Sequence, residues 1–289
     1  MKLLPVYNIS QFKEQESSNH LYCNNFSEHL RTHPFIEKPH RHDFHLLVLF
    51  TKGTGSHVVD FHKFNIIPGS VFALQPGQMH HWNLSKDIDG YIVFHSKEFY
   101  NVHFKHKQIN DYPFYFSTYN TPELILDEKQ TKNISYYFEK ALIEYSSTNL
   151  YKEHAVLNML DLIYIELSRH YIYSNPLQTN KYHTILQNFE ALLEHYYMFE
   201  KKPSFYASKL HITLKHLNRV CKETLQKTAT VVITDRIILE AKRLLLTPEL
   251  TINEIANRLG FEDYSYFSRL FKHKTQQTPS SFRNAIHKH

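Results

Sequence analysis

The side chains best suited to a specific chemistry lie near the C-terminus, on the second of two short helices predicted between Thr251 and Arg283. At about 100° per residue, Ser265, Arg269 and Lys272 share one face of that helix. The opposite face is an apolar stripe of Phe267, Leu270 and Phe271. Arginine and serine can donate to base edges in the major groove of DNA, and lysine can pair with phosphate. The face is typical of a recognition helix, although taken alone it also fits an ordinary solvated surface.

Local signals predict how this helix is positioned. Thr251 and Glu254 have the spacing of a capping box, and they precede apolar residues at helical spacing. Gly260 supplies a left-handed C-cap for the first helix, and Asp263 is placed to cap the second. The predicted unit is therefore helix, glycine turn, helix.

The same pattern occurs fifty residues earlier in the chain. Its apolar stripe consists of Leu217, Val220 and Cys221. Opposite that stripe lie Lys215, Arg219 and Lys222, flanked by His216 and Asn218. Because both the cationic face and the apolar stripe are repeated, chance is a poor explanation.

A single helix of ~24 Å is predicted between the repeats, from Val231 to Leu246. Two recognition helices held apart by such a helix can enter successive major grooves on one face of DNA, ~34 Å apart. One chain is then expected to bind a bipartite site.

These residues resemble the AraC/XylS family of bacterial transcription regulators, over about 184 to 286. The motifs that carry the resemblance are Ile255-Ala256, Leu259-Gly260-Phe261, Tyr264 to Lys272, Thr278-Pro279 and Phe282-Arg283, with Leu210, Leu217, Lys222 and Ala241-Leu244-Leu245 upstream. The resemblance implies an all-α domain at 184–286 with seven helices and two helix-turn-helix units that contact double-stranded promoter DNA. The predicted DNA-contacting residues are Lys215, His216, Asn218, Arg219, Lys222, Tyr264, Ser265, Tyr266, Ser268, Arg269 and Lys272. One departure is that the glycine usual after the first recognition helix is replaced within Thr224–Lys227, which leaves the helix cap there open.

Charge and cysteine usage agree with this interpretation. Residues 182–289 carry 16 Lys and Arg against 10 Asp and Glu, a net charge of +6, whereas residues 1–181 carry 17 against 18, a net charge of −1. The two cysteines, Cys23 and Cys221, allow one disulfide at most, which fits a reducing cytoplasm. The longest purely aliphatic or aromatic run, Leu46 to Phe50, is too short for a signal sequence or a membrane span, so a cytoplasmic protein is expected.

The N-terminal part is predicted to be β-rich. Five of the six glycines fall between Gly53 and Gly90, among short β-branched and aromatic runs. Such runs, separated by Gly or Pro-Gly, are typical of the hairpins of a small barrel or sandwich. We therefore assign residues 20–120 to an all-β domain.

The order of motifs in that domain resembles the cupin-type sensor barrel attached to many AraC members. The motifs are Pro39-His40-x-His42-Asp43-Phe44, Gly53, Pro68-Gly69 and Pro76-Gly77-Gln78-Met79-His80. The resemblance implies an effector pocket, for which His40, His42, His80 and Trp82 are the candidates, although Trp82 also fits the barrel core. In metal-binding cupins a Glu follows the His pair, and here that position is Leu46. We expect a pocket without metal or other cofactor, and the alternative is a three-histidine site for zinc, iron or nickel.

Helical spacing resumes from Pro122, and residues 121–175 are predicted to form two helices. One stripe is Ile134, Phe138, Leu142 and Tyr145, and the other is Leu157, Leu160, Ile163, Tyr164 and Leu167. The family resemblance favours a dimerisation role for these stripes. The alternative is that they pack on each other or on the barrel. A linker is predicted at Ser174–Lys181.

The sequence therefore predicts a transcription regulator, and more narrowly an activator, that is controlled by a small-molecule effector. A homodimer and a contact with RNA polymerase are expected, and no enzymatic activity. One rival is a cupin metalloenzyme whose helical part is an interaction module. A second keeps DNA binding but makes the barrel a purely structural dimer module.

Overall fold

The first part of the chain contains strands and helices, and the described residues after Ile125 form only helices and their connections. The structure is a computed structural model that describes residues 4–12, 20–33, 38–104, 106–117, 119–174 and 182–287. The chain divides into two units, Pro5–Leu177 and, for the main part of the second, Gln178–His289. The first is β-rich, and the regular elements in the described residues of the second are all helices. The predicted two-domain fold class is confirmed. The predicted linker, Ser174–Lys181, lies outside the described residues except for the backbone of Ser174.

The first unit is built on antiparallel sheets. Its described strands are β1 (Val6–Tyr7), β2 (Leu21–Asn25), β3 (Arg41–His42), β4 (His45–Lys52), β5 (Gly55–Val59), β6 (His62–Ile66), β7 (Ser70–Leu74), β8 (His80–Leu84), β9 (Asp89–His95) and β10 (Glu123–Ile125). One sheet has the order β10-β7-β4-β9-β2 and a second has the order β6-β5-β8. The short pair β1-β3 is parallel. The runs separated by Gly and Pro-Gly thus form paired strands, as predicted.

Strand β4 lies at the centre of the larger sheet, and both of its faces are covered. Leu46, Val48 and Phe50 belong to an aromatic-rich core shared with the smaller sheet. Leu47 and Leu49 belong to a second core, shared with the helices that follow the strands. Because successive side chains point to opposite faces, the part of β4 that is covered on both sides, Leu46 to Phe50, is apolar at every position.

The helices of the first unit are α1 (Phe26–Thr32), α2 (Lys97–His103), α3 (Pro113–Phe116), α4 (Glu128–Tyr145) and α5 (Lys152–Ser174). Asp127 caps α4 through a capping box with Gln130. The predicted stripes of α4 and α5 pack on each other and on the larger sheet, with Phe138 and Leu160 in the same buried core as Leu47. Folding within one chain thus buries most of both stripes, as in the alternative to a dimer contact, and leaves Leu142 and Tyr145 partly buried.

The second unit contains α6 (His183–Tyr196), α7 (Pro203–Lys209), α8 (Leu214–Leu225), α9 (Ala229–Leu245), α10 (Ile252–Arg258), α11 (Tyr264–Thr275) and α12 (Pro279–His287). Helix α9 corresponds to the helix predicted between the repeats, and it is largely buried. Arg236 on α9 binds the Glu194 carboxylate of α6 at 2.5 and 2.8 Å and lies 4.0 Å from the centre of the Tyr197 ring. Glu240 accepts from both Arg236 and Arg243 at 3.2 Å. In the part of the chain that the structure describes, no helix has the length and apolarity needed to cross a membrane.

Candidate nucleic-acid interface and ligand site

The first helix-turn-helix consists of α7, α8 and the turn between them. Thr213 caps α8, since its hydroxyl oxygen accepts from the backbone N–H of His216 at 3.1 Å. The buried side of α8 consists of Leu217, Val220 and Cys221, as the repeat predicted. Lys215, Arg219 and Lys222 are exposed on the other side. Within the described residues, none of these three cations is paired with an acid, so their charge is available to a ligand.

The second helix-turn-helix, α10 and α11, repeats the arrangement. Thr251 and Glu254 form the predicted capping box, and Asp263 accepts from the N–H of Ser265 at 2.7 Å. Phe267 and Phe271 are buried. The exposed candidates on α11 are Tyr264, Ser265, Tyr266, Arg269 and Lys272. The Arg269 side chain is 74% exposed and touches Asp263 only at 4.0 Å. Arg219 and Arg269 therefore occupy the same place in the two units, six residues after the capping residue.

Two of the predicted DNA contacts, Asn218 and Ser268, are half-buried. The side-chain oxygen of Asn218 accepts from the backbone N–H of Ala229 at 3.0 Å, at the first residue of α9. Ser268 is its counterpart on α11, and the residue equivalent to Ala229 is Pro279, which has no N–H. The Ser268 hydroxyl is buried without a hydrogen-bond partner in the described residues. The Asn218 oxygen is thus occupied within the domain and the Ser268 hydroxyl is buried, so base contact by these two residues stays a prediction that needs their side chains to reorient.

His216 lies at the margin of the exposed face. It is half-buried, and its ring packs edge-on against Tyr182 with 5.7 Å between ring centres. Its Nε2 atom is buried and has no hydrogen-bond partner among the residues that the structure describes. Its counterpart Tyr266, in contrast, is 52% exposed. The two repeats thus differ at this position, and the more accessible ring is the one on α11.

Three residues besides Gly260 adopt the left-handed conformation at the ends of these helices, and they were not predicted from the sequence. Gln226 ends α8 with φ 56°, and Gln276 ends α11 with φ 62°. The missing glycine within Thr224–Lys227 therefore does not remove the helix cap. His211, at φ 55°, is the upstream counterpart of Gly260, at φ 70°. Since glutamine and histidine give no glycine-like signal, residue type did not reveal these positions.

Asp235 joins the two repeats and was missed by sequence reasoning. Its carboxylate accepts from Lys227 Nζ at 2.8 Å and from Lys274 Nζ at 2.9 Å. Lys227 follows α8, whereas Lys274 lies in α11. One carboxylate on α9 therefore contacts the segment that follows α8 and also contacts α11 itself. The sequence signal was weak, since Asp235 is simply one of two acids in α9.

The effector candidates His40, His42 and His80 come together in the β-rich unit, and all three are buried. The Nε2 atom of His42 lies 3.1 Å from that of His40 and 2.6 Å from that of His80. The Trp82 ring is 4.7 Å from the His80 ring. His57 on β5 is an additional member, with its Nε2 atom 2.9 Å from Nδ1 of His80. Its participation depends on the pairing of β5 with β8, which spacing along the chain does not reveal.

Burial keeps these histidines uncharged. It lowers the pKa of His40 to about 4, against a weaker opposing effect of the hydrogen bond to Lys38. Burial, and then repulsion from the neighbouring imidazoles, lowers the pKa values of His42 and His80 well below the ordinary value. At neutral pH each ring therefore has one N–H and one lone-pair nitrogen. Such a donor set can bind either a hydrogen-bonding ligand or a metal ion.

Comparisons with known proteins identify both parts of the chain at the level of domains. A model described as a helix-turn-helix domain matches residues 206–285, and one described as an AraC-like ligand binding domain matches residues 26–112. The arabinose operon regulatory protein of Escherichia coli is 24% identical over 256 residues, which cover 86% of this chain and 83% of that protein. The transcriptional activator RhaS of Mannheimia succiniciproducens is 24% identical over 251 residues, 84% of this chain and 88% of that one.

Among solved structures, the C-terminal domain of the response regulator yesN from Fusobacterium nucleatum is 30% identical with a TM-score of 0.33, and it covers 35% of this chain and 98% of that chain. Both family models fall on the units that carry the two candidate sites. The chain belongs to the AraC family of DNA-binding transcription regulators, with an AraC-like ligand-binding domain in its N-terminal part.

Proposed function

We propose that this protein activates transcription from specific promoters by binding a bipartite site through α8 and α11, under the control of an effector held in the β-rich unit. One observation carries the proposal. Arg219 and Arg269 stand exposed at equivalent positions of two helix-turn-helix units, each opposite a buried apolar stripe. A repeated arrangement of this kind suits two successive major grooves.

The exposed candidates divide by chemistry. Arg219 and Arg269 have planar guanidinium groups, which bind O6 and N7 of guanine in a bidentate manner. Lys215 and Ser265 occupy equivalent positions near the start of each helix, and recognition helices of this type contact bases through their N-terminal residues. Lys222 and Lys272 are assigned to phosphate, and Tyr264 and Tyr266 to sugar, phosphate or a neighbouring base edge. This assignment needs no contribution from Asn218 or Ser268.

The effector is assigned to the cluster of His40, His42, His80 and Trp82. The lone pairs and N–H groups of the uncharged rings give directed polar contacts, and the indole gives an apolar wall. The name of RhaS supports activation rather than repression, and an activator needs a contact with RNA polymerase. We place the protein in the cytoplasm because that is where bacterial promoter DNA lies. The relatives are regulators, and we assign no catalytic activity.

A homodimer is also part of the proposal, through a surface other than the predicted stripes. Exposed apolar side chains on the outer faces of α4 and α5 include Tyr136, Ile143 and Leu162, which are 54%, 65% and 44% exposed. Sedimentation equilibrium of the full chain tests this. Dimer dissociation in an Ile143→Asp variant is the expected result, and a monomeric wild-type protein contradicts it.

The function is tested by selecting binding sites from a random DNA pool with the full chain and sequencing them. We expect two conserved blocks about one helical turn apart. Arg219→Ala should relax preference at one position of the first block, and Arg269→Ala at one position of the second. Each lost contact corresponds to roughly 1–3 kcal/mol of discrimination. Unaltered preferences in both variants count against the assignment, and a pool without enrichment counts against sequence-specific binding.

A further inference from the structure

The three histidines of the β-rich unit converge through the ring atoms that bind metals. One ring nitrogen from each of His40, His42 and His80 lies within 4.8 Å of the other two. Two imidazole nitrogens on one zinc ion are about 3.0–3.4 Å apart, given a metal–nitrogen distance of about 2.1 Å. The observed separations of 3.1 and 2.6 Å from His42 are close to this range. Shifts of roughly half an ångström or less at His42 and His80 bring these two separations into the range, and the third pair, His40 and His80, lies within 4.8 Å.

Hydrogen bonds among the rings do not satisfy the cluster. Nδ1 of His40 lies 2.7 Å from the Lys38 carbonyl oxygen and donates to it, so its Nε2 carries a lone pair. If Nε2 of His42 carries the proton, it can donate a hydrogen bond to Nε2 of His40 or to Nε2 of His80, but not to both. If His42 is instead protonated on Nδ1, that N–H is buried without an acceptor in the described residues. A cation at the point of convergence accepts a lone pair from each ring, so none of the three rings has to donate a proton to another, and the N–H on Nδ1 of His42 stays buried within the site.

The surroundings resemble those of a metal site. A ligating histidine usually has its second ring nitrogen fixed by a hydrogen bond, as Lys38 does for His40 and His57 for His80. Aromatic rings enclose the cluster, with Tyr7 at 5.2 Å from His40 and Phe44 at 4.4 Å from His42 between ring centres. Three neutral imidazoles favour zinc, nickel or copper, since magnesium and calcium prefer oxygen ligands.

We propose that His40, His42 and His80 together bind one late first-row divalent metal ion, with zinc as the first ion to test, and that this ion is the effector of the β-rich unit. This replaces the sequence-based expectation of a pocket without metal. It deepens the proposed function, on which its second half rests, by naming the class of ligand. The first half concerns binding alone and is measured without DNA.

The binding test uses the full chain without a polyhistidine tag, stripped with a chelator and dialysed against zinc. We expect one tightly held ion per chain. X-ray absorption of the loaded wild-type protein should show three imidazole nitrogens at about 2.0–2.1 Å and no sulfur. Sub-stoichiometric zinc, or a spectrum with fewer imidazoles, overturns the site. Because this spectrum is recorded on the wild-type protein, the test remains valid even if the variants misfold.

Variants locate the ion. His42→Gln and His80→Gln should lose it, with circular dichroism used to check that each is folded. His62→Gln is the matched control, since His62 is exposed on β6 of the same sheet as His80, and its loss should leave the ion in place. A folded His42→Gln protein that keeps the tight ion overturns the assignment.

The regulatory half is tested by promoter affinity with and without zinc. We expect a change of about tenfold, within the usual range of allosteric coupling. Bound zinc with unchanged promoter affinity overturns the effector role and leaves DNA binding standing. No stoichiometric zinc, together with promoter binding that responds to organic metabolites, overturns this inference but not the proposed function. Zinc binding without any promoter binding supports the metal site and defeats the proposed function.

Discussion

Lysine and arginine on the outer face of α11 are expected to act differently on DNA. The Arg269 guanidinium is planar and can distinguish one base pair from another, whereas the Lys272 ammonium is a compact charge that suits any phosphate. Both side chains are exposed. Their separate contributions can be measured, because a phosphate contact changes salt dependence and a base contact changes sequence preference.

Replacing Lys272 by alanine should weaken binding to every duplex by about the same factor. Loss of one phosphate contact should reduce the slope of log K against log salt by about 0.9. Fluorescence anisotropy at several salt concentrations, with a selected and a random duplex, measures both. Lys86→Ala, which removes an exposed lysine from the β-rich unit, is the control and should leave the slope unchanged. A wild-type slope in the Lys272 variant means that Lys272 faces away from DNA.

Buried histidines make the β-rich unit sensitive to acid. Burial lowers the pKa of His95 to about 4, and burial with two nearby histidines lowers that of His29 to about 3. Their unfolded pKa is about 6.5, so between that value and the folded pKa the unfolded state binds more protons. Stability is therefore full above about pH 6.5 and falls as the pH is lowered below it, by up to about 1.4 kcal/mol per pH unit for each such group.

The measurement is the urea midpoint of the full chain at pH 7, 6 and 5, followed by a probe in the β-rich unit. We expect the midpoint to fall steadily over this range. His95→Asn should reduce the dependence, provided that its hydrogen bond to the Tyr164 hydroxyl, 2.7 Å in the wild type, is replaced by the amide. A midpoint that does not change between pH 7 and pH 5 contradicts the prediction.

Helix ends were the most predictable elements of the fold. Each capping hydrogen bond of Thr251, Glu254 and Asp263 joins residues no more than three positions apart. Such a local contact can be predicted from the spacing of residue types alone. The orientation of Asn218 depends instead on where the N-terminus of α9 packs. Residue type alone places it beside Arg219, and only the tertiary contact shows that its oxygen is occupied. Similarly, His57 reaches His80 through strand pairing, which helical or strand periodicity does not specify.

The Gly260 turn should tolerate no side chain, and Gly77 provides a matched control for the backbone conformation. Both have positive φ, 70° and 83°. A Cβ at Gly260 would lie 2.1 Å from the Met198 carbonyl oxygen, whereas nothing lies within 4 Å of one at Gly77. Gly77→Ala should therefore lower the free energy of unfolding by about 1–2 kcal/mol, the cost of the left-handed conformation alone. Gly260→Ala should lower it by more than about 3 kcal/mol, because the backbone at Met198 must also move.

Thermal and urea unfolding, each with a probe in the unit concerned, measure these costs. Gly260→Ala should also weaken promoter binding, because α10 and α11 meet at this turn. Equal destabilisation by the two substitutions would mean that the backbone at Met198 can move away from the added Cβ without loss of stability.

In the second unit, we expect α9 to set how α8 and α11 act together on DNA. Arg236, Glu240 and Glu194 attach it to α6, and Asp235 attaches it to Lys227 and Lys274. The repeat predicted two similar helix-turn-helix units, but it contained no information on these cross-contacts. A pair of recognition helices selects the spacing of a bipartite site only if both are held on one support.

Asp235→Asn should weaken that selection. The amide keeps the shape of the side chain but removes the charge that both Lys227 and Lys274 contact, at 2.8 and 2.9 Å. Loss of a negative charge should raise affinity for random DNA, so the quantity to measure is the ratio of affinities for the selected site and for a site with one added base pair. We expect that ratio to fall about five- to tenfold, the size of a modest coupling energy. Glu249→Gln, which removes an exposed acid from the same unit, should raise general affinity without changing the ratio. An unchanged ratio in Asp235→Asn would mean that apolar packing around α9 alone fixes the spacing.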